Sequence, residues 1–170
     1  MKKVLVISLM VFLLAGFYNV FAQDDISKHP ACPLCGMDRA KFAHSRILIE
    51  YDDDSTYGAC SVHCAAIDMV VHIDKAPQAV MVGDFNTKQL IDAEKAVWVI
   101  GGKKMGVMTK RAKWAFADKT AGQDFINANG GEIATFEEAV KAAYVDMYED
   151  TKMIREKRKM MREKKMKKSE

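Results

Sequence analysis

The sequence lacks the motifs that mark most enzyme classes. It contains no paired-carboxylate motif, no serine-nucleophile signature and no phosphate-binding loop. The acidic run at Asp52, Asp53 and Asp54 lacks the spacing of a calcium-binding loop, so we predict a solvated turn there. These absences favour a binding protein over an enzyme.

Long hydrophobic segments are also absent, apart from one short run near the N-terminus. Lys2 and Lys3 precede an apolar stretch at residues 4–17, and polar residues follow Ala22. This pattern is typical of a signal peptide over residues 1–22, and the run is too short to span a bilayer comfortably. No cysteine lies near the expected cleavage point, so no lipid anchor is expected and membrane contact stays open. The sequence therefore predicts an exported protein, most simply a periplasmic one.

Charge is distributed unevenly along the chain. Residues 23–150 hold 14 basic and 20 acidic side chains, whereas residues 151–170 hold 10 basic and 3 acidic ones. The basic segment consists of good helix formers but lacks an apolar stripe that would dock it on a core, so residues 147–170 are predicted to form a helical or disordered tail. The alternative is that the tail takes part in binding Cu(I), because thioethers are soft ligands that suit this ion. Its methionines are Met153, Met160, Met161 and Met166. An exported chain rarely meets nucleic acid, so none is expected as a partner.

Strand and helix signals occur in the same order twice. The first set predicts strands at 46–51 and 56–59, a helix from residue 62 and a strand at 79–82. A strand at 96–100 and a break at Gly101-Gly102 follow, and the second set predicts a strand at 113–116, a helix at 118–128 and a strand from residue 132. The sequence therefore predicts an α+β fold of two small, related ββαβ-like units, residues 23–102 and 103–146.

All four cysteines lie in the first unit. Cys32 and Cys35 form a C-x-x-C pair on a proline-containing loop, and Cys60 and Cys64 form a C-x-x-x-C pair at the start of a helix, with both side chains on one face. Brought together, the two pairs could present four sulfurs to Zn(II), and a subset would suit Cu(I) at lower coordination. The helix N-terminus is expected to favour a thiolate at Cys60.

Two other roles for the cysteines stay open. Exported proteins commonly pair an even number of cysteines in disulfides, and a redox-active dithiol is a further possibility. His63 beside Cys64 and Met37 beside Cys35 make the composition more typical of metal ligation. His29 and His44 flank the first pair and could add a nitrogen ligand. Met105, which follows the Gly-Gly break, is a further candidate.

Several stretches resemble the NosL family, the accessory proteins of nitrous oxide reductase. They are CPLCGM at residues 32–37, GDFNTKQLIDAEKAVWVIGG at residues 83–102, the Met105-Gly106 pair, the WAF stretch, Gly130-Gly131 and TFEEA. The resemblance implies a periplasmic Cu(I)-binding metallochaperone, built from two related ββαβ units, that delivers copper to a partner such as apo nitrous oxide reductase. It also implies that Cys32, Cys35, Met37 and Met105 take part in binding copper.

Two features depart from that family. Its members are typically anchored through a lipidated cysteine, which this sequence lacks at the cleavage point. The spacing of Cys35, Cys60 and Cys64 is more similar to the small TRASH or YHS metal-binding modules. We therefore expect no catalytic residues and a soft metal site for Cu(I), with a structural Zn(II) or disulfide-stabilised module as the alternative. The expected ligands are Cys32, Cys35, Met37, Cys60, His63, Cys64 and Met105.

Overall fold

The computed structural model describes residues 24–168, so the predicted signal peptide lies outside the described part of the chain. No helix in this range is long and apolar enough to cross a membrane. The elements are, in chain order, α1 (Asp24–Lys28), β1 (Ile47–Tyr51), β2 (Thr56–Ala59), α2 (Val62–Val71), β3 (Pro77–Gly83), β4 (Leu90–Asp92), β5 (Val97–Ile100), β6 (Lys113–Phe116), α3 (Lys119–Asn129), β7 (Glu132–Ala134) and α4 (Phe136–Met166).

The first sheet is antiparallel, with the strand order β2-β1-β3-β4. Ile47, Ile49 and Tyr51 of β1 are buried, while Glu50 is exposed. This alternation places every second side chain of the strand in the core, as expected for a sheet with one covered face.

The second sheet repeats the arrangement of the first. Its order is β6-β5-β7, and β5 pairs antiparallel with both neighbours, as β1 does with β2 and β3. In each unit two strands, a helix and a third strand follow one another along the chain. The α+β prediction is confirmed. The predicted division at residue 102 groups the strand at 96–100 with the first unit, whereas in the structure β5 is the central strand of the second sheet.

The two units have different cores. The second contains a cluster of aromatic rings, with Phe85 5.1 Å from Phe125 in an edge-to-face arrangement and Phe116 5.3 Å from Phe125 between ring centroids. In the first unit the carboxylate of Asp25 is buried between two arginines, 2.8 Å from Arg39 Nη2 and 2.9 Å from Arg46 Nε. Ion pairing and hydrogen bonds offset part of the cost of removing these charges from water.

Asp84 joins the two sheets. It also gives the sequence DFNT at residues 84–87 a structural role. Its Oδ1 accepts hydrogen bonds from the backbone N–H groups of Asn86 and Thr87, at 3.0 and 2.6 Å, which closes the turn after β3. Its Oδ2 accepts one from Ala117 N at 2.8 Å, at the end of β6. The buried carboxylate thus fixes the first sheet to the second.

Helix α4 is continuous over 31 residues and includes residues 147–166 of the predicted tail. A capping box begins it: the Thr135 side chain accepts a hydrogen bond from Glu138 N, and the Glu138 carboxylate accepts one from Thr135 N. Its first half buries Ala139, Ala142 and Ala143 and packs against α2 and β5. The basic second half continues from this packed segment as helix.

Candidate metal centre

The loop that carries Cys32 and Cys35 is a tight hairpin. Cys32 N donates to Met37 O at 2.9 Å, and Gly36 N donates to Cys32 O at 2.8 Å. Gly36 has φ 75°, a conformation that glycine adopts without steric cost. These bonds turn the backbone so that both sulfurs of the pair face the same side.

Glycine at position 58 lets this hairpin approach the first sheet. A Cβ atom at Gly58, in β2, would lie 2.4 Å from His29 Cβ and 2.8 Å from Arg39 Cζ. With glycine there, Arg39 crosses β2 and donates to Ala59 O at 3.1 Å and to His29 O at 2.7 Å. The arginine therefore anchors the hairpin beside the residue that follows Ala59, which is Cys60.

The second cysteine pair lies at the junction between β2 and α2. Cys60 directly follows β2, Ser61 is the N-cap residue and Cys64 lies in the first turn of α2. Cys60 therefore precedes the helix, whereas the sequence had placed both cysteines on one helix face. The two sulfurs are nevertheless 3.7 Å apart.

The four sulfurs form a single cluster. All lie within 4.8 Å of one another, and Cys35 Sγ is 3.4 Å from Cys60 Sγ. A tetrahedral ion with metal–sulfur bonds of about 2.3 Å has sulfur–sulfur edges of about 3.8 Å, so the cluster fits a soft metal ion with small adjustments. All four cysteines are free thiols in the structure.

Contacts within the cluster lower the pKa of one thiol and raise the pKa of two others. Hydrogen bonds from Cys35, Cys60 and Cys64 hold the pKa of Cys32 below its ordinary value. Hydrogen bonds to Cys32 and Cys35, together with burial, raise the pKa of Cys60 and of Cys64. The raised pKa of Cys60 runs against the thiolate expected there. A bound metal ion would replace the shared protons.

Burial makes the cluster asymmetric. Cys32, Cys60 and Cys64 are at most 1% exposed, whereas Cys35 is partly exposed. Cys35 also lines an adjacent cavity of 470 Å³ between the two units and α4. Three of the four cysteines are thus closed off from solvent, and the cluster reaches this cavity through Cys35 alone.

The match to known protein families covers most of the chain. The sequence model of the NosL family matches residues 23–159. The chain belongs to the NosL family. A solved structure with a similar fold is that of the copper chaperone NosL from Shewanella denitrificans, with a TM-score of 0.54 and 23% sequence identity. The similarity covers 66% of this chain and 90% of that chain. No curated protein matches the sequence.

In this NosL-family protein, two predicted ligands lie at the cavity and not inside the thiol cluster. Met37 and Met105 line the cavity together with Cys35, one from each unit. Met105 is 66% exposed. The structure therefore brings the two family methionines to the exposed side of Cys35.

The predicted histidine lies elsewhere. His63 is buried, and its Nδ1 lies 3.5 Å from Asp150 Oδ2 of α4. Successive helix residues differ by about 100° in direction, so the neighbour of Cys64 faces α4 when Cys64 faces the other sulfurs. His29 donates or accepts at Thr56 Oγ1, 2.8 Å away. Neither histidine joins the four sulfurs.

Other residues of the cavity carry weak signals in the sequence. His44 lines it, and burial, followed by Lys104, lowers the His44 pKa and so favours a neutral imidazole. Trp114 forms part of the wall. Met153 and Met161 of α4 complete it, while Met160 and Met166 do not line it. The methionine content of the tail was visible in the sequence, but which methionines reach the site depends on where α4 packs.

Proposed function

We propose that the protein is a Cu(I)-binding accessory protein that carries copper outside the cytoplasm and transfers it to a copper enzyme, for which nitrous oxide reductase is the expected example. The observation that carries the proposal is the cluster of four sulfurs within 4.8 Å, one of which opens to a methionine-lined cavity. Copper is the cargo of such a protein, and no catalytic step is assigned to the chain.

The donor set supports a soft ion. Thiolate and thioether ligands select Cu(I), whereas carboxylate and carbonyl oxygens suit Mg²⁺ and Ca²⁺. Within residues 24–168, the group of metal-ligating side chains that converges consists of cysteines alone. Cu(I) accepts fewer ligands than four, so it can bind a subset of these sulfurs and exchange among them.

The exposure of Cys35 supports transfer. An ion held by Cys32, Cys60 and Cys64 alone would have no exposed ligand, because these three side chains are buried. Cys35 belongs to the cluster and also lines the cavity. An incoming ligand from an acceptor can therefore bind copper at Cys35 before the buried sulfurs release it.

Titration of the reduced protein with Cu(I) under anaerobic conditions tests the proposal. Near four titratable thiols and tight uptake of Cu(I) are expected. Cys35→Ser should lower Cu(I) affinity by about two orders of magnitude, about 2.7 kcal/mol. Leu34→Ser is the matched control, since Leu34 is exposed in the same loop and has no ligand atom. Equal affinities for the Cys35→Ser variant and the wild type would contradict the proposal.

A structural Zn(II) site is the second candidate, favoured by the convergence of four sulfurs within 4.8 Å and the burial of three of them. It predicts that purified protein contains zinc and that chelation unfolds the first unit, since structural zinc contributes directly to folding. A copper carrier instead keeps its fold when the ion leaves. Amide hydrogen exchange of residues 30–66 before and after chelation distinguishes the two.

A further inference from the structure

The cavity beside Cys35 is unusually rich in methionine. Sixteen residues line it, and five of them are methionines. They come from three separate parts of the chain: Met37 from the first unit, Met105 and Met108 from the loop after β5, and Met153 and Met161 from α4. Such convergence of thioethers from distant segments needs an explanation.

Core packing accounts for only part of it, since Met37 and Met108 pack against the core but Met105 and Met161 do not. Methionine often fills gaps in cores, where its side chain is buried. Here Met105 is 66% exposed and Met161 is 64% exposed, and both line the cavity. Exposed thioethers that face a solvent-accessible cavity contribute little to burial and remain available as ligands.

Helix α4 presents a defined face to the cavity. Its lining residues recur at helical spacing and follow the buried Asp150, whose Oδ1 accepts a hydrogen bond from Lys110 N at 2.9 Å. This bond fixes α4 to the loop that carries Met105 and Met108. The residues of this face are Met153, Ile154, Lys157, Arg158 and Met161. It mixes apolar and cationic side chains, so it differs from the apolar stripe that would dock a helix on a core.

Two contacts hold this part of α4 over the metal centre. Arg158 Nη2 donates to Cys35 O at 3.1 Å, and Lys157 Nζ lies 3.8 Å from Met105 Sδ. The loop opposite has a constrained backbone, since Met108 has φ 58°, which is rare for a residue with a side chain. Both walls are thus positioned by specific interactions.

We propose that α4 contributes Met153 and Met161 to a second Cu(I) site at the cavity, where they join Met37 and Met105, which the family resemblance already implies as copper ligands. The inference rests on the proposed copper role and extends it. Methionine has three rotatable side-chain bonds, so the four thioethers can converge on one ion. Copper stays Cu(I) throughout: a bond to a thioether breaks as one to Cys35 Sγ forms, and a thiol proton leaves to solvent.

The charges around the cavity favour this ion over divalent metals. Lys104, Lys157 and Arg158 line it, and thioethers are neutral. A hydrated Zn(II) ion would meet this positive charge without a charged ligand to offset it, whereas monovalent Cu(I) binds thioether sulfur strongly. We therefore expect the thioether site to take Cu(I) and to exclude Zn(II).

Titration of the reduced full-length protein, labelled with ¹³C at the methionine methyl groups, tests the second site. The first equivalent of Cu(I) should bind the cysteines, and the second should shift the methyl signals of Met153 and Met161. Those of Met160 and Met166 should not shift. Zn(II) should leave all four signals in place.

A matched pair of variants gives the affinity. Met153→Leu/Met161→Leu should weaken the second binding event at least about tenfold and leave the first unchanged. Met160→Leu/Met166→Leu changes the same helix outside the cavity and should alter neither. Leucine preserves helix propensity and side-chain volume, so the fold is retained. If both double variants bind the second equivalent of Cu(I) equally well, the thioether site alone is overturned. If the wild type does not bind the first equivalent of Cu(I), the proposed copper function is overturned.

Discussion

The two units share a topology but use the same junction differently. In the second unit, β6 leads into α3 through Asp118, whose side chain accepts a hydrogen bond from Ala121 N at 2.9 Å and caps the helix. In the first unit, β2 leads into α2 through Cys60 and Ser61, and the Ser61 side chain makes no capping bond. The comparison shows that one strand–helix junction can either cap its helix or supply a thiol to the sulfur cluster.

The cores differ in a related way. Phenylalanine and tryptophan rings cluster in the second unit, whereas the first contains four thiols and a buried carboxylate between two arginines. A core of this kind depends on charge pairing, and its thiols remain available to an ion. The predictions below test this division between a metal-binding unit and a supporting unit.

The largest effect is expected at the buried charges of the first unit. Asp25→Asn removes the negative charge that faces Arg39 and Arg46 and leaves two buried guanidinium groups without a counter-ion. The free energy of unfolding should fall by about 3 to 5 kcal/mol. Urea denaturation followed by circular dichroism measures it.

The neighbouring residue provides the control. Asp24 pairs with Lys28 at 3.0 Å, and both side chains are well exposed, at 57% and 66%. Asp24→Asn should therefore change stability by no more than about 0.5 kcal/mol. Similar losses for both variants would mean that the buried pairing does not support the first unit.

The next largest effect is expected in copper affinity. Cys60→Ser replaces a soft sulfur with a hard, neutral hydroxyl and should lower Cu(I) affinity by about two orders of magnitude, about 2.7 kcal/mol. Asp118→Ala, at the corresponding junction of the second unit, should leave that affinity unchanged. Competition with a colorimetric Cu(I) chelator measures both. An effect of Asp118→Ala as large as that of Cys60→Ser would erase the distinction between the units.

The smallest effect is expected from the helix caps. Asp118→Ala removes a capping bond and should cost about 1 kcal/mol of stability. Ser61→Ala removes no such bond and should cost less than about 0.5 kcal/mol. Thermal unfolding of the two variants beside the wild type compares them directly. A larger loss at Ser61 would show that this side chain supports α2 in another way.

Local sequence signals were sufficient to predict the repeated ββαβ order and the close approach of the two sulfurs within each cysteine pair. Strands such as β1 alternate buried and exposed residues, and Thr135 with Glu138 marks the start of α4. The close spacing within each cysteine pair limits how far apart its sulfurs can lie. These features depend on neighbours in the chain, so the sequence predicts them.

Features set by distant contacts could not be predicted. Asp25, Arg39 and Arg46 carry charges that usually lie at the surface, and nothing local indicates that they pair in the core. Nothing local indicates that His63 meets Asp150 of α4, 87 residues later in the chain. The same packing decides that Met153 and Met161 reach the cavity while Met160 does not.

The central claim is that the four cysteines provide the ligands for Cu(I). X-ray absorption at the copper edge, on the reduced protein loaded with one equivalent of Cu(I), tests it most directly. The account predicts a first coordination shell of sulfur alone, with fewer sulfur ligands or weaker binding in Cys60→Ser. A first shell dominated by nitrogen or oxygen, unchanged by Cys60→Ser, would contradict it.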